Sequence, residues 1–290
     1  MRMLAFVLAT MLLTFSSRAA DLAVPENVVF EKEIEFSNPD DQHLMINLAH
    51  PKTGDGSFPA IVCIHGGGFR AGKREGYDKQ CMTLAQNGYV AITVTYRLAP
   101  RYQFPAAVYD CKAAVRWLRA NAAKYKIDPS RIGVTGGSAG GHLAQFLGVT
   151  NGIKEFEGEG NLDQSSDVAC VVNYYGPSDF TKSYDKSVDA KDVLPLFFGG
   201  DLTTKMAEHV KGSPLTWVSE KSVPTLCIHG TEDKYVAYEQ ATWLVDKLKA
   251  NKVEAELLTL QGAGHGFKGD DAKKADAAML AFFDAHLKKK

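Results

Sequence analysis

Cysteine is scarce in this 290-residue chain: five residues, an odd number, at positions 63, 81, 111, 170 and 227. A disulfide-stapled scaffold is thereby excluded, and at least one thiol stays unpaired. No C-x-x-C and no close Cys/His cluster occurs, so structural zinc has no ligand set and no metal is expected. Cys63, Cys170 and Cys227 lie inside apolar runs that read as buried strands, where cysteine behaves as a small hydrophobe; a Cys81 to Cys111 pairing is left open. An excess of either charge is also missing, with 33 Lys and Arg against 34 Asp and Glu and a formal net charge of -1. Without a basic surplus to offset a phosphate backbone or an anionic bilayer, nucleic acid is not an expected partner. Beyond the N-terminus no apolar run approaches the length needed to span a bilayer, so stable membrane insertion is not expected either. Interdomain linkers rich in Pro, Gly and Ser and repeats of solenoid or propeller period are likewise absent. What remains, 45% hydrophobic and 23% charged, is ordinary globular composition that excludes disorder, collagen and coiled coil.

The first residues read as an export signal. Arg2 supplies a positive start, Leu4 to Phe15 is apolar except for Thr10 and Thr14, and Ser17 and Ala19 occupy the small positions before a cleavage point after Ala19. Removing residues 1–19 takes Arg2 and Arg18 with it and leaves 31 basic against 34 acidic residues, a mature charge of -3. No cysteine stands at the cleavage point to carry a lipid, so the expected destination is periplasm or medium.

From there the chain alternates. Ala60–His65, Val90–Tyr96, Arg131–Gly136, Val168–Tyr174, Pro224–Gly230 and Ala255–Leu260 are short runs rich in Val, Ile and Leu that predict six buried strands. Helical stretches are expected over Tyr77–Asn87, Ala106–Tyr125, Ser138–Thr150, Ala237–Ala250 and Ala272–Leu287. The series predicts one α/β domain, residues 20–290, with a mostly parallel sheet covered by helices on both faces. Val28–Phe36 and Leu44–His50 alternate polar and apolar residues as an N-terminal antiparallel hairpin would, which brings the sheet to eight strands. Gly176–Ser222 is too long for a plain connection and is read as a small cap or pocket wall.

Gly136-Gly137-Ser138-Ala139-Gly140 follows a predicted strand and opens a predicted helix, the setting of a nucleophile elbow with Ser138 as nucleophile. A strained turn presents the serine, and glycines around it remove Cβ atoms that would clash. His65-Gly66-Gly67-Gly68-Phe69 ends an earlier strand as an oxyanion loop would, with Gly67 and Gly68 donating alongside Ala139. The order Ser, acid, His then demands two more residues. Asp233 leaves the Pro224–Gly230 strand 95 positions after Ser138, and His265 leaves the last strand 32 positions later. Both exits share the carboxyl edge of the sheet with Ser138. His265 is read as the general base and Asp233, in preference to its neighbour Glu232, as the acid that orients it. Of the other histidines, His43, His50, His209 and His286 fall on exposed-looking stretches, whereas His65, His142 and His229 adjoin motif glycines and read as structural or as supports for the residues that do the chemistry. Gly67–Lys73 approaches a phosphate loop, but Arg74 replaces the Ser/Thr that would hold magnesium. No G-x-G-x-x-G supports a dinucleotide site and no H-E-x-x-H supports a zinc peptidase.

On these motifs, together with Tyr96-Arg97-Leu98-Ala99-Pro100, Phe104-Pro105-Ala106, Gly141-His142 and His229-Gly230, the chain resembles the α/β-hydrolase superfamily from about Val28 onward. More narrowly it resembles the hormone-sensitive-lipase-like and the feruloyl/acetyl-xylan esterases. Gly137 stands where the former usually carry Asp or Glu, and no long N-terminal helical cap precedes the hairpin; both favour the latter. The resemblance implies a serine carboxylesterase that needs no cofactor. Short acetyl or feruloyl esters, small or linked to polysaccharide, are the expected substrates, with a serine peptidase or an inactive binding protein of the same fold as alternatives.

Overall fold

The apolar runs become strands because each buries its side chains between two layers of helices. The computed structural model describes residues 22–54 and 56–288, so the segment read as an export signal lies outside the described residues. Strands β1 (Val28–Ser37), β2 (Leu44–Pro51), β3 (Phe58–Ile64), β4 (Val90–Val94), β5 (Ile127–Gly137), β6 (Cys170–Tyr174), β7 (Thr225–Gly230) and β8 (Ala255–Leu260) form one sheet in the order β1-β2-β4-β3-β5-β6-β7-β8. β2 runs antiparallel to both β1 and β4, and every pairing from β4 to β8 is parallel. This is the mostly parallel sheet with an N-terminal antiparallel hairpin that the patterning predicts.

The connections are α1 (Asp78–Gln86), α2 (Ala106–Ala120), α3 (Ala122–Tyr125), α4 (Ala139–Val149), α5 (Ala190–Phe198), α6 (Met206–Gly212), α7 (Pro214–Trp217), α8 (Glu239–Ala250) and α9 (Gly269–Leu287). On one face, Cys81, Met82 and Leu84 of α1 and Met279 and Phe282 of α9 pack with Ile61, Cys63 and Val172. On the other, Val115 and Leu118 of α2 and Leu143 and Leu147 of α4 pack with Val62, Ile92 and Val134. Each large aliphatic side chain taken fully out of water contributes about 1.5–3 kcal/mol, so the central strands are the firmest part of the frame.

Four expectations are corrected. The Ala255–Leu260 strand is not buried like the rest: β8 is the free edge, with Glu256 exposed and Leu257 to Thr259 half-buried. The helix expected over Ala106–Tyr125 breaks at Asn121, whose side-chain amide caps the Trp117 carbonyl at 2.9 Å. His209 is fully buried rather than exposed, 2.8 Å from the Tyr184 hydroxyl and stacked near Phe198. Cys81 and Cys111 belong to cores on opposite faces of the sheet, so they do not pair; all five cysteines are free and buried. Among the described residues no helix is long and apolar enough to cross a membrane.

Candidate active site

Because β3, β5, β7 and β8 are parallel, their exits all open at one edge, and the loops that leave them meet there. β5 delivers Ser138 at the turn into α4 with φ 57° and ψ −121°, a conformation a non-glycine residue holds only when its surroundings impose it. Here the imposition is close packing. A Cβ on Gly140 would lie 2.1 Å from the Ile64 carbonyl oxygen, so the first turn of α4 rests directly on the end of β3. The Ser138 N–H donates to the Tyr174 carbonyl at 2.9 Å, which ties the turn to β6 as well. Ala139 opens α4, so its N–H belongs to the first-turn amides without an intrahelical acceptor, at the electropositive end of the helix.

The loop after β3 is held from below. His65 is buried and stacked on Tyr96 at 4.3 Å, and the Tyr96 hydroxyl donates to the His65 carbonyl at 3.0 Å. This gives the segment around Tyr96 its supporting role. Gly67 has φ +119° and its hypothetical Cβ would sit 2.2 Å from the Ala71 carbonyl oxygen, so no other residue fits that turn. Gly67, Gly68, Ser138, Ala139 and His265 all line one cavity of about 570 Å³. Gly137 lines it too: a Cβ there would be 2.9 Å from the Tyr77 hydroxyl and 3.1 Å from that of Tyr175, which leaves no room for an acidic side chain.

Asp233 sits behind this cavity with its side chain wholly buried. One carboxylate oxygen accepts the Tyr235 and Val236 N–H groups, both at 2.9 Å. The other accepts Nδ1–H of His265 at 2.8 Å and lies 3.4 Å from Nε2 of His229. Burial alone would raise the Asp233 pKa, but the hydrogen bonds from His229, His265 and Val236 outweigh it and hold the carboxyl well below the usual range. Asp233 is therefore ionised, and because a carboxylate only accepts, the hydrogen bond between them uses the Nδ1–H of His265 and leaves Nε2 as the ring nitrogen available for proton transfer. Glu232, the adjacent alternative, is exposed and beside Lys234 at 3.4 Å, away from His265.

Three tyrosines that sequence reading passes over shape the site. Tyr175 packs against the His265 ring at 4.7 Å, and burial together with the Asp233 charge pushes its phenol up to about 12. Tyr235 lies 5.2 Å from the same ring, and Tyr77 closes the floor next to Gly137. Their positions at or just beyond the carboxyl ends of β6 and β7, in the case of Tyr175 and Tyr235, were the available signal. His229, expected from the sequence to play a supporting role, does so: fully buried, it accompanies Asp233 and reaches the Val236 carbonyl at 2.9 Å. The segment read as a pocket wall supplies Phe180, Ser183, Lys186, Ser187, Asp189 and, from α5, Ala190, Val193 and Leu194.

Such an arrangement equips a serine hydroxyl with a base, an orienting carboxylate and adjacent main-chain donors, the requirements of acyl transfer. In sequence, the chain is similar to the probable carboxylic ester hydrolase LipM of Mycobacterium tuberculosis, 32% identical over 67% of this chain and 46% of the relative. It is also similar to esterase LipC of the same organism, 33% identical over 72% of this chain and 53% of the relative. The chain thus spans about half the length of the curated relatives it matches. In structure it is similar to a truncated carbohydrate esterase from gut microbiota, with a TM-score of 0.81 and 29% identity over 90% of this chain and 97% of the other. A family model, BD-FAE, matches residues 46–248, a span that includes Gly67, Ser138 and Asp233 and ends before His265. With its α/β-hydrolase fold, the chain belongs to the BD-FAE family.

Proposed function

We propose that this protein is a serine carboxylesterase with Ser138 as nucleophile, His265 as general base and acid, Asp233 as orienting carboxylate, and Gly67, Gly68 and Ala139 as oxyanion donors. One observation carries the proposal: the 2.8 Å bond from His265 to Asp233 stands at the cavity that Ser138 shares with all three glycine-loop and helix donors. His265 Nε2 takes the Ser138 proton as the hydroxyl attacks the ester carbonyl, and the amides stabilise the oxyanion that forms. Collapse expels the alcohol, which receives the proton back from His265. Water, deprotonated by the same nitrogen, then attacks the acyl-enzyme and releases the acid. Every step uses side chains and main chain already in the cavity.

The substrate class follows at lower resolution. Short acetyl or feruloyl esters on polysaccharide fit a cavity of about 570 Å³, and the similarity to a carbohydrate esterase supports that choice. The signal-like first 19 residues support export, after cleavage near Ala19, to periplasm or medium. The test is hydrolysis of p-nitrophenyl acetate, butyrate and decanoate, methyl ferulate and acetylated xylan, with Ser138→Ala as control. Turnover that disappears in the control is the expected result. An enzyme that leaves every ester intact but cleaves peptide substrates would be a peptidase of this fold, and one that binds saccharide without either activity would be a binding protein.

A further inference from the structure

The second half of the reaction needs a water that reaches both the acyl carbon and Nε2 of His265, and the histidine by itself fixes only one of its hydrogens. Two phenols stand beside that place. Gly137 immediately precedes Ser138, and a Cβ built on it would lie 2.9 Å from the Tyr77 hydroxyl and 3.1 Å from that of Tyr175, so both hydroxyls meet at the nucleophile's own turn. The Tyr175 ring also packs against the His265 ring at 4.7 Å. Its backbone has φ 40°, which a bulky residue holds only under constraint, and its N–H is fixed to the Ile228 carbonyl at 2.9 Å. Both residues line the catalytic cavity, and among the described residues neither O–H has a protein acceptor. They are shared with a second cavity, of about 160 Å³, that lies against α9 and is lined by Gln80 and Asp276 as well. Gln80 Oε1 is buried without a protein donor among the described residues, so this second space is both polar and roomy enough for water. Burial raises both phenols above their ordinary pKa, Tyr175 to about 12 with the help of the Asp233 charge, and both therefore keep their protons at neutral pH.

Resting on the esterase reading, we propose that Tyr77 and Tyr175 bind the water that hydrolyses the acyl-enzyme. One phenol O–H donates to the water oxygen, and the other phenol oxygen accepts the hydrogen that stays with the product. That leaves one lone pair for the acyl carbon and one hydrogen for Nε2 of His265. The water oxygen bonds to the acyl carbon as its proton passes to Nε2. The bond from that carbon to Ser138 Oγ then breaks, the proton returns to Oγ, and the free acid leaves. Glycine at position 137 keeps this place open, because a side chain there would occupy it. Forming the acyl-enzyme consumes no water, so the two hydroxyls act in deacylation alone.

Tyr77→Phe, Tyr175→Phe and the double variant remove the hydroxyls and keep the rings. With p-nitrophenyl acetate in excess, first-turnover release of p-nitrophenolate reports acylation. Steady turnover divided by the fraction of acetyl-Ser138, found by quenched-flow mass spectrometry, reports deacylation. Acylation is expected to stay within about twofold of wild type in all three variants, while deacylation slows about tenfold in each single variant and acetyl-enzyme accumulates. Equal slowing of both steps overturns the proposal, because it would show that the phenols only steady the His265 ring. Unchanged deacylation overturns it too, since the water would then be held elsewhere; both results leave the esterase reading intact. Wild type that releases no p-nitrophenolate overturns the esterase reading, and the water site falls with it.

Discussion

The cavity has two unlike walls. Along one, the loop after β3 and the turn into α4 bring backbone to backbone so closely that a single added methyl at Gly67 or Gly140 would lie 2.1 to 2.2 Å from a main-chain carbonyl oxygen. Along the other, Phe180, Val193, Leu194 and Tyr235 meet the cavity with side chains carried on a short helix and two loops. The first wall holds the groups that would do the chemistry, and its geometry is set by main chain packed on β3, β5 and β6. The second surrounds the substrate, and its geometry is set by side chains that substitution can trim. Reaction type is therefore the hard property of this molecule to change and specificity the easy one.

The comparison breaks first at the nucleophile. Ser138→Ala is expected to lower ester turnover on the order of 10⁴-fold or more with the fold intact by circular dichroism; residual activity above one part in a hundred would move the nucleophile elsewhere. Asp233→Asn comes next, with a loss on the order of 10³-fold to 10⁴-fold, whereas Glu232→Gln stays within about twofold. Full activity in Asp233→Asn would reverse the assignment of the acid.

Gly67→Ala tests the backbone wall itself. The added Cβ would meet the Ala71 carbonyl at 2.2 Å, so the loop must shift and kcat is expected to fall about 100-fold, as for loss of one oxyanion donor. The next prediction concerns His142, at the seam of the two walls, where its ring contacts Phe69 and Phe180. Burial lowers its pKa from 6.5 to about 3, so the unfolded chain takes up the proton first. The stability this neutral ring contributes is complete above the unfolded pKa and is lost as pH falls toward the folded one, at about 1.4 kcal/mol per pH unit. Urea unfolding at pH 6 and pH 4 should show that drop, and His142→Leu should remove about 2 kcal/mol of it. An equal drop in both proteins would show that other groups titrate instead. Smallest is the effect on the side-chain wall: Val193→Ala should raise the butyrate-to-acetate ratio of kcat/KM about fivefold while the acetate rate barely moves. A fall in acetate turnover as large as that of Gly67→Ala would erase the distinction between the walls.

Much of the frame was legible before any coordinates. Val62, Ile92 and Val134 sit in continuous apolar runs because a parallel strand covered on both faces has no polar side, and that pattern survives in the sequence. Ser138, Asp233 and His265 were legible because each follows a strand at its carboxyl end and carries a residue type with few other reasons to be there. Other features left no such trace. Leu257 and Leu258 look like core residues until β8 turns out to have a neighbour on only one side. His209 looks polar and exposed until α6 folds it onto Phe198 and Tyr184. The pairing of Cys81 with Cys111 fails because the sheet stands between their two cores.

The sequence by itself determined the strand series, the order of the motif residues and the need for glycine at the turns, since these depend on local periodicity and on backbone conformation. Only the tertiary structure decided that Asp233 rather than Glu232 faces His265, that His229 shares its carboxylate, and that Tyr175 and Tyr235 flank the same imidazole. Those choices rest on which way adjacent side chains point where several strands end together, and around His265 that direction is set by contacts between residues 30 to 90 positions apart, which no local pattern encodes.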